Sequence, residues 1–475
     1  MYHKYNSVAT VIKERVGDQL KRIDELLVRN EFKVRIYAEY LLGSLRFLLS
    51  VHDLNKTQIK ALDDLSHGYL KKWLGLPRCA SWVMVHDVHG LNIKSFDHLY
   101  KESRSLTLSN IRFFSDGRVR HALDTKENRE GKWSNKFSSA MYVKGLIEEV
   151  VPPLPTEDQF STEEQSLNDS LGSWSSLELD TPPAVRRPDV LTRGLLKGKI
   201  QAGVQARVSD FWKEKVGHYI MQGDYLALIM EEGSSITWKS YLWDVPQGVL
   251  KFAINAGINT LPTLDNLKRW GKRVNDRCPF CGNIETLLHV LNNCSVSLDQ
   301  GRYTWRHNSV LSTIIELIRP NLNDGFSLYS DLPGLQAPHG GVIPPDVVVT
   351  QLRPDLFLFD AQKGIAIIFE LTCPWDSNIQ RSHDFKEQKY AALVQDLSRN
   401  FIVFQFSVEV SARGQVSKAN RARFKSFAFK CCGNSRITTK LLIERCSKVS
   451  LLCSYSIFGA RKEPTWLVTN PLVAR

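Results

Sequence analysis

Apolar residues recur at three- and four-residue spacing over 8–29, 31–50 and 57–74, and that period predicts three helices. Asn55 ahead of Lys56-Thr57 suits the start of the third, and Gly75 followed by Pro77 suits its end. Asp63 and Asp64 fall inside this third helix, in KALDDLSHGYLKKWL, with no strand pattern on either side. They therefore read as a solvated helix face rather than as polymerase carboxylates. Residues 1–150 as a whole lean helical. So do 190–277, where Phe211-Trp212, Trp238 and Tyr241-Leu242-Trp243 lead to a helix over 249–255. From 300 onward the pattern changes to α/β. Strand-like apolar runs occupy 346–350, 355–359, 364–371 and 400–410, and a helix is predicted over 376–397. Gln362-Lys363-Gly364 supplies a hairpin turn between the second and third runs.

The stretch 151–189 differs from both neighbours. Pro152, Pro153 and Pro155 open it, and Pro182, Pro183 and Pro188 close it. Between them lie Ser-rich segments and seven acidic residues, with no Lys or Arg before Arg186. Such a segment buries too little apolar surface to order itself and reads as an acidic, disordered linker.

Composition narrows the class. The 475 residues allow roughly two to four domains. A net charge of +12 favours a polyanionic partner, because neutralising phosphates releases counterions. Nine cysteines, an odd number with three in one short motif, argue for a reducing compartment and metal ligation over a disulfide scaffold. The start, MYHKYNSVATVIKERV, lacks the apolar stretch of a secretory signal. The longest apolar run, Gly364 to Phe369, is broken by Glu370, so no membrane span is expected.

Two constellations carry chemistry. The first is Cys278, Cys281, His289 and Cys294, spaced C-x2-C-x7-H-x4-C. A tight C-x2-C turn offers two sulfurs to one ion, and two further ligands complete the tetrahedron that Zn²⁺ prefers. Four protein ligands predict a structural site. Lys272, Arg273 and Arg277 lie just before it and could touch phosphates. The second is Arg353-Pro354-Asp355 followed by Glu370 in GIAIIFELTCPW. An ionised Glu inside an apolar strand is costly without a partner or metal. A hairpin that brings Asp355 and Glu370 together would hold Mg²⁺ for phosphodiester cleavage. The usual nuclease pattern, PD…(D/E)-x-K, has a Lys two residues after the second acid, where this chain has Thr372. Lys386 and Lys389, on one face of the helix over 376–397, are the candidates to replace it. Further on, 411–448 holds ten Lys or Arg against Glu444 alone, with Phe424, Phe427 and Phe429 interleaved. That stretch fits a surface tracking a nucleic-acid backbone, and equally a basic amphipathic helix packed through its Phe face. Cys431, Cys432, Cys446 and Cys453 lack ligand spacing and read as core or surface thiols.

These motifs, in this order, resemble the C-terminal half of the reverse transcriptases of non-LTR retrotransposons that carry a restriction-enzyme-like endonuclease. In that family a CCHC knuckle precedes an RHN-like element, then (K/R)PD and a distant E, then a helix with Lys and Tyr. The matching residues here are the four knuckle ligands, Arg306-His307-Asn308, Arg353-Pro354-Asp355 with Glu370, and Lys386, Lys389 and Tyr390. ELTCPWDSNI, WDVPQGVLKFAINAGINTLPTLDNLKRWGKR and LKKWLGLPRCASWVMVHDVHGLNI are similar to its post-carboxylate, linker and thumb segments.

The fold expected is therefore multidomain α+β. It comprises a helical thumb-like region over 1–150, the acidic linker, a helical linker region over 190–277, a CCHC zinc knuckle over 278–294 and an α/β PD-(D/E)xK-like endonuclease over 300–475. The resemblance implies nicking of double-stranded target DNA to prime reverse transcription of an element RNA, in the nucleus, with structural Zn²⁺ and catalytic Mg²⁺. Asp355 and Glu370 would hold magnesium, and Lys386 or Lys389 would serve the attacking water. Arg306, His307, Arg353 and Tyr390 would contact nucleic acid. No YxDD-type motif is present, so this chain alone is expected not to polymerise and to begin near a thumb. Two other readings fit the same residues: a catalytically dead nucleic-acid-binding relic, and a zinc-stabilised interaction protein.

Overall fold

Helix-forming periodicity is realised almost as written through the first 112 residues of the computed structural model, which describes residues 2–112, 118, 121, 193–433 and 436–467. The acidic linker lies outside the described residues. By internal contacts the chain divides into two units: Met1–Leu26 with Arg35–Gly68 and Lys94–Phe211, and Leu27–Val34 with Tyr69–Ile93 and Trp212–Arg475. Among the described residues no helix is long and apolar enough to cross a membrane.

The first half of the chain contains α1 (Tyr2–Glu25), α2 (Asn30–Ile36), a π-helical turn (Tyr37–Leu41), α3 (Leu42–Val51), α4 (Lys56–Leu74), α5 (Val83–His86) and α6 (Phe96–Arg112). Asn55 starts α4 by accepting from the amide of Gln58, whose own side chain accepts in return from the Asn55 amide, both at 2.9 Å. The first unit is tied by buried polar contacts as well as by apolar ones. Arg104 donates to the Ser50 carbonyl at 2.6 Å, closing the end of α3. Glu102, fully buried, accepts from Arg46 at 3.1 Å and Gln201 at 2.9 Å and pairs with Lys94.

Asp63 corrects the expectation of a solvated face. It lies mid-helix, but its carboxylate accepts from the amides of Phe96 at 2.6 Å and Asp97 at 3.2 Å. It thus satisfies two of the orphan donors at the start of α6, beside Ser95, which accepts from His98. Only Asp64 is exposed.

In the second unit, helices α7 (Arg193–His218, entering from the first), α8 (Asp224–Glu231), α9 (Gln247–Gly257) and α10 (Leu264–Arg269) lead to the knuckle. After it come α11 (Ser295–Asp299), α12 (Arg302–Ile318), β1 (Ser327–Ser330), β2 (Leu356–Asp360), β3 (Ile365–Thr372), α13 (Ile379–Leu397), β4 (Ile402–Glu409), α14 (Lys418–Cys432) and α15 (Arg436–Gly459). The sheet runs β1-β2-β3-β4; the first three strands are antiparallel and β3-β4 is parallel, bridged by α13. Gly364 sits at φ +61° where the β2–β3 hairpin closes, a conformation that favours glycine.

Helices cover both faces of the sheet. One face packs Leu356, Leu358, Ile367, Phe369 and Leu371 against Val310, Ile314 and Ile318 of α12 and Phe424, Phe427 and Cys446 of α14 and α15. The other packs Phe357, Ala366 and Ile368 under Tyr390, Leu393 and Leu397 of α13. This two-sided burial explains why IAIIF reads as a continuous apolar run. The Phe face of α14 is thereby core at Phe424 and Phe427, while Phe429, Lys425 and Lys430 face solvent. All nine cysteines are free thiols.

Two sequence expectations fail here. Residues 346–350 form no strand: Pro344-Pro345 lead into a turn, where the Val347 amide donates to the Pro344 carbonyl at 3.0 Å, and Val349 is exposed. The strand that actually edges the sheet, β1, is a four-residue SLYS with no apolar alternation to reveal it.

Substituting Asp63 by Ala is expected to cost about 0.5–2 kcal/mol by leaving the α6 amides unpaired, whereas Asn, which can still accept, costs less. Chemical denaturation of the two variants monitored by helical circular dichroism checks this; equal stability of both with wild type would remove Asp63 from the capping role.

Candidate metal centre and carboxylate site

The knuckle is a short hairpin followed by a helical turn. Cys278 and Asn283 exchange the hairpin contact, with the Cys278 amide 2.7 Å from the Asn283 carbonyl, and Gly282 takes φ +74° at the turn. A π-helical turn, His289–Asn293, then swings His289 back toward the sulfurs and delivers Cys294 at its end. The four ligand atoms lie within 4.8 Å of one another. Cys281 Sγ is 3.3 Å from His289 Nε2 and 3.9 Å from Cys294 Sγ. Sulfurs about 2.3 Å from one tetrahedral ion stand about 3.8 Å apart, so the donor set and its spacing both fit zinc. Burial pushes the Cys278 thiol up to about 11. Cys281, despite its own burial, is held below the ordinary thiol range by the Asn283 amide and the neighbouring sulfurs.

The surroundings fix the knuckle firmly. Buried Glu285 accepts from the Leu264 amide at 3.1 Å, clasping the start of α10, where Thr263 caps the helix. Tyr303 places its hydroxyl between the Cys294 amide and the carbonyls of His289 and Val290, at 3.0–3.2 Å. Arg302 lies buried between Phe280 and Trp466 and donates to the carbonyls of Ala460 and Glu463. Lys272, Arg273 and Arg277 stay on the exposed surface beside the knuckle.

Asp355 and Glu370 meet across the β2–β3 hairpin, since Leu356 is in register with Phe369. Glu370 Oε1 accepts from the Asp355 amide at 3.1 Å, and Asp355 Oδ2 accepts from the Leu371 amide at 2.7 Å. Lys386 reaches down from α13 to Glu370 Oε2 at 2.5 Å. His307 Nε2 lies 3.2 Å from Asp355 Oδ2 and 3.1 Å from the Leu371 carbonyl. Burial pushes the Glu370 carboxyl up to about 7, with the neighbouring Asp355 charge adding to it and Lys386 opposing. At Asp355 burial pushes the same way, but the His307 hydrogen bond and charge overcome it and hold this carboxyl below its ordinary range. Two carboxylates pushed apart in this way are a common mark of a functional site.

The remaining site residues separate into those at the carboxylates and those elsewhere. Lys386 is at the carboxylates. Lys389 is exposed, its ammonium 3.1 Å from the Tyr390 hydroxyl. Arg353 is half exposed and pairs with Asp331. Two expected nucleic-acid contacts are instead buried. Tyr390 is fully enclosed and donates to the Arg353 carbonyl at 2.9 Å. Arg306 is 1% exposed and donates to the carbonyls of Leu291 and Cys373 and to Ser454, at 3.0–3.1 Å. With its fork engaged inside the protein it has no face for a phosphate. His307, its neighbour, holds Asp355.

Two charged residues near this site went unremarked in the sequence. Glu409, at the end of β4, is fully buried, and its Oε1 lies 3.4 Å from His383 Nδ1 on α13. Signals existed: a charge closing the apolar strand FQFSVEV, and a His one helical turn before Lys386.

Residues 219–300 match the family described as zinc-binding in reverse transcriptase. The match spans α8 to α11 and all four knuckle ligands. No curated protein matches the chain. The family match and the Cys3His cluster together fit a retrotransposon protein related to reverse transcriptase and support a structural zinc ion.

A single zinc ion is expected per chain, lost on Cys281→Ser. Because the thiols must shed protons to ligate, apparent affinity should fall on acidification, by roughly tenfold per pH unit for each proton released. Competition with a chromogenic chelator between neutral and mildly acidic pH measures this, and a pH-independent affinity would contradict thiolate ligation.

Arg306→Met should lower stability by about 2–5 kcal/mol, because the Leu291 carbonyl and the Ser454 hydroxyl lose this donor and the Cys373 carbonyl keeps only Asn292. It should also speed zinc loss to a chelator, while Arg273→Ala on the surface leaves both unchanged. Thermal unfolding and zinc-release kinetics of the pair decide between a structural and a surface role for Arg306.

Proposed function

We propose that this chain is the metal-dependent DNA endonuclease portion of a retrotransposon protein, nicking double-stranded target DNA so that the free 3′ end can prime reverse transcription of an element RNA. The observation that carries the reading is the carboxylate pair itself: Asp355 and Glu370 face each other, linked through backbone amides, with Lys386 against Glu370 and His307 against Asp355. An oxygen-only set of two neighbouring carboxylates suits Mg²⁺, which binds proteins through one or two carboxylates and retains its waters. When bound, magnesium polarises a phosphoryl oxygen and lowers the pKa of water.

The chain's own residues have separable parts in this reading. Asp355 and Glu370 would hold the ion. Lys386 supplies the cation that the PD…(D/E)-x-K pattern has two residues after its second acid, where Thr372 stands here. Projecting from α13, its ammonium would orient the attacking water and stabilise charge developing on the phosphorane. His307 fixes the rotamer of Asp355. Lys389, with Lys272, Arg273 and Arg277, would neutralise DNA phosphates, in keeping with the net charge of +12. Activity on chromosomal DNA would place the protein in the nucleus.

Thr372 in place of the patterned lysine also favours a second reading, a relic that binds nucleic acid without cutting it. Relaxation of supercoiled plasmid by the full chain with Mg²⁺ separates the two. Wild type should nick, Asp355→Ala and Glu370→Ala should lose at least about a hundredfold while still binding DNA, and Lys386→Ala should lose more than Lys389→Ala. Salt-sensitive DNA binding without nicking by any of the proteins would establish the relic. Nicking that persists in both carboxylate variants would sink the assignment of the site.

A further inference from the structure

The sheet face that carries Asp355 and Glu370 continues onto β4. In the parallel β3-β4 register Glu370 lies beside Ser407 and Thr372 beside Glu409, so all four side chains stand on the face covered by α13. This extension is built from buried polar atoms that lack partners. Ser407 Oγ, Thr372 Oγ1 and Asn420 Nδ2 make no hydrogen bond within the protein, although Asn420 and Ser407 are at most 1% exposed, and Glu409 Oε1 and His383 Nδ1 have only each other. Buried polar groups without a protein partner are met by water, by an ion or by a functional role.

Within it, Glu409 and His383 form a carboxylate–imidazole pair. The buried carboxylate lies 3.4 Å from Nδ1, which is itself buried, the side chain is 14% exposed, and Nε2 is the ring nitrogen not committed to Glu409. His383 precedes Lys386 by three residues on α13, so the two share a helix face, and Lys386 already touches Glu370. We propose that His383 is the general acid of the nicking reaction, donating a proton from Nε2 to the departing 3′ oxygen, and that Glu409 is the residue that positions it. This rests on the endonuclease reading above.

The chemistry balances simply. As the oxygen of water bonds to phosphorus, the bond from phosphorus to the 3′ oxygen breaks, and its electron pair leaves on that oxygen. The His383 proton joins this pair and gives a 3′-hydroxyl, while the proton shed by the water goes to solvent and the imidazole is reprotonated from it. The product opposite is a 5′-phosphate. Charged groups of both signs stand around the pair. Glu409 faces the ring from β4, and burial, with Glu387 and Asp384 of α13 adding to it, pushes its carboxyl up to about 7; Arg423 on α14, 3.3 Å from Glu409 Oε2, is the opposing cation, and Thr372 on β3 and Asn420 on α14 are neutral. A buried carboxylate against one imidazole nitrogen fixes the ring and presents the other, the division of labour seen in acid–base pairs generally.

The test uses the full chain and a duplex carrying, at the position wild type nicks, either the ordinary linkage or one with sulfur in place of the 3′ oxygen. A thiolate leaves without needing a proton. With Mg²⁺ and Mn²⁺, His383→Gln should nick the ordinary duplex at least about a hundredfold more slowly than wild type, yet the sulfur duplex within a few fold. It should also lose the alkaline limb of the pH–rate profile. Glu409→Gln should follow the same pattern less severely. Equal loss on both duplexes, or no loss on either, overturns the inference while leaving the endonuclease standing. A wild type that cuts neither duplex overturns the endonuclease reading, and the inference with it.

Discussion

Arg306 is the joint on which the second unit depends. A guanidinium this deeply buried is costly unless its donors are engaged, and here its hydrogen-bond acceptors are two carbonyls and a hydroxyl from three parts of the chain. Leu291 belongs to the knuckle, Cys373 follows β3, and Ser454 lies on α15. None of the three is an anion, so the geometry must be right in all of them at once for the charge to be tolerated. The next residue, His307, holds Asp355 and the Leu371 carbonyl. Two adjacent side chains on one turn of α12 therefore couple the fold of a metal knuckle to the orientation of the carboxylates. Asn292 reinforces the same seam by donating to the Cys373 carbonyl at 3.0 Å. The knuckle is thereby connected to Asp355 through two hydrogen bonds, Arg306 to the Leu291 carbonyl and His307 to Asp355.

The carboxylate pair shows how a low-dielectric site separates two like groups. Each acid accepts from backbone across the hairpin, so neither can rotate away. Glu370 lies deeper, and burial together with the neighbouring Asp355 charge pushes it up to about 7. Asp355 has His307 close by and stays ionised more readily. A lysine rising from the covering helix, rather than from the strand itself, then reaches the deeper acid. The strand position is filled by Thr372, whose hydroxyl stays unpartnered. With the cation supplied by the helix, the sheet face beside Thr372 continues toward Glu409.

How much of this could be read in advance follows the range of the interaction. The knuckle was legible because its ligands fall within seventeen residues and spacing alone brings them together. The hairpin was legible too, since a turn signal between two apolar runs fixes which residues oppose each other. An acid opens the first run and another nearly closes the second, and the burial of both needs a reason. Legibility failed where register between distant segments decides. A lone SLYS gains its identity as a strand only from Leu356–Phe359 beside it, and 346–350 loses its β-propensity to the two prolines ahead of it. Arginine in an RHN element looks like a phosphate ligand until the contact with residue 454 is known. Asp63 looked solvated for the same reason: its partners lie 33 and 34 residues away.

The two lysines of α13 show the limit most sharply, because three residues of spacing could not rank them. Their surroundings do. Lys386 points inward to a buried carboxylate in a site from which solvent is largely excluded, where a charge–charge contact is strong. Lys389 lies at the rim over the Tyr390 ring, 4.8 Å from its centroid, still hydrated and available to a mobile anion. Tyr390 separates them. It is buried because its ring packs against Phe357 and Ile368, and its hydroxyl donates to the Arg353 carbonyl just before Asp355. The tyrosine thus braces the entry to β2 and fixes the height of α13 over the sheet. That height decides that one lysine meets Glu370 and the other meets solvent.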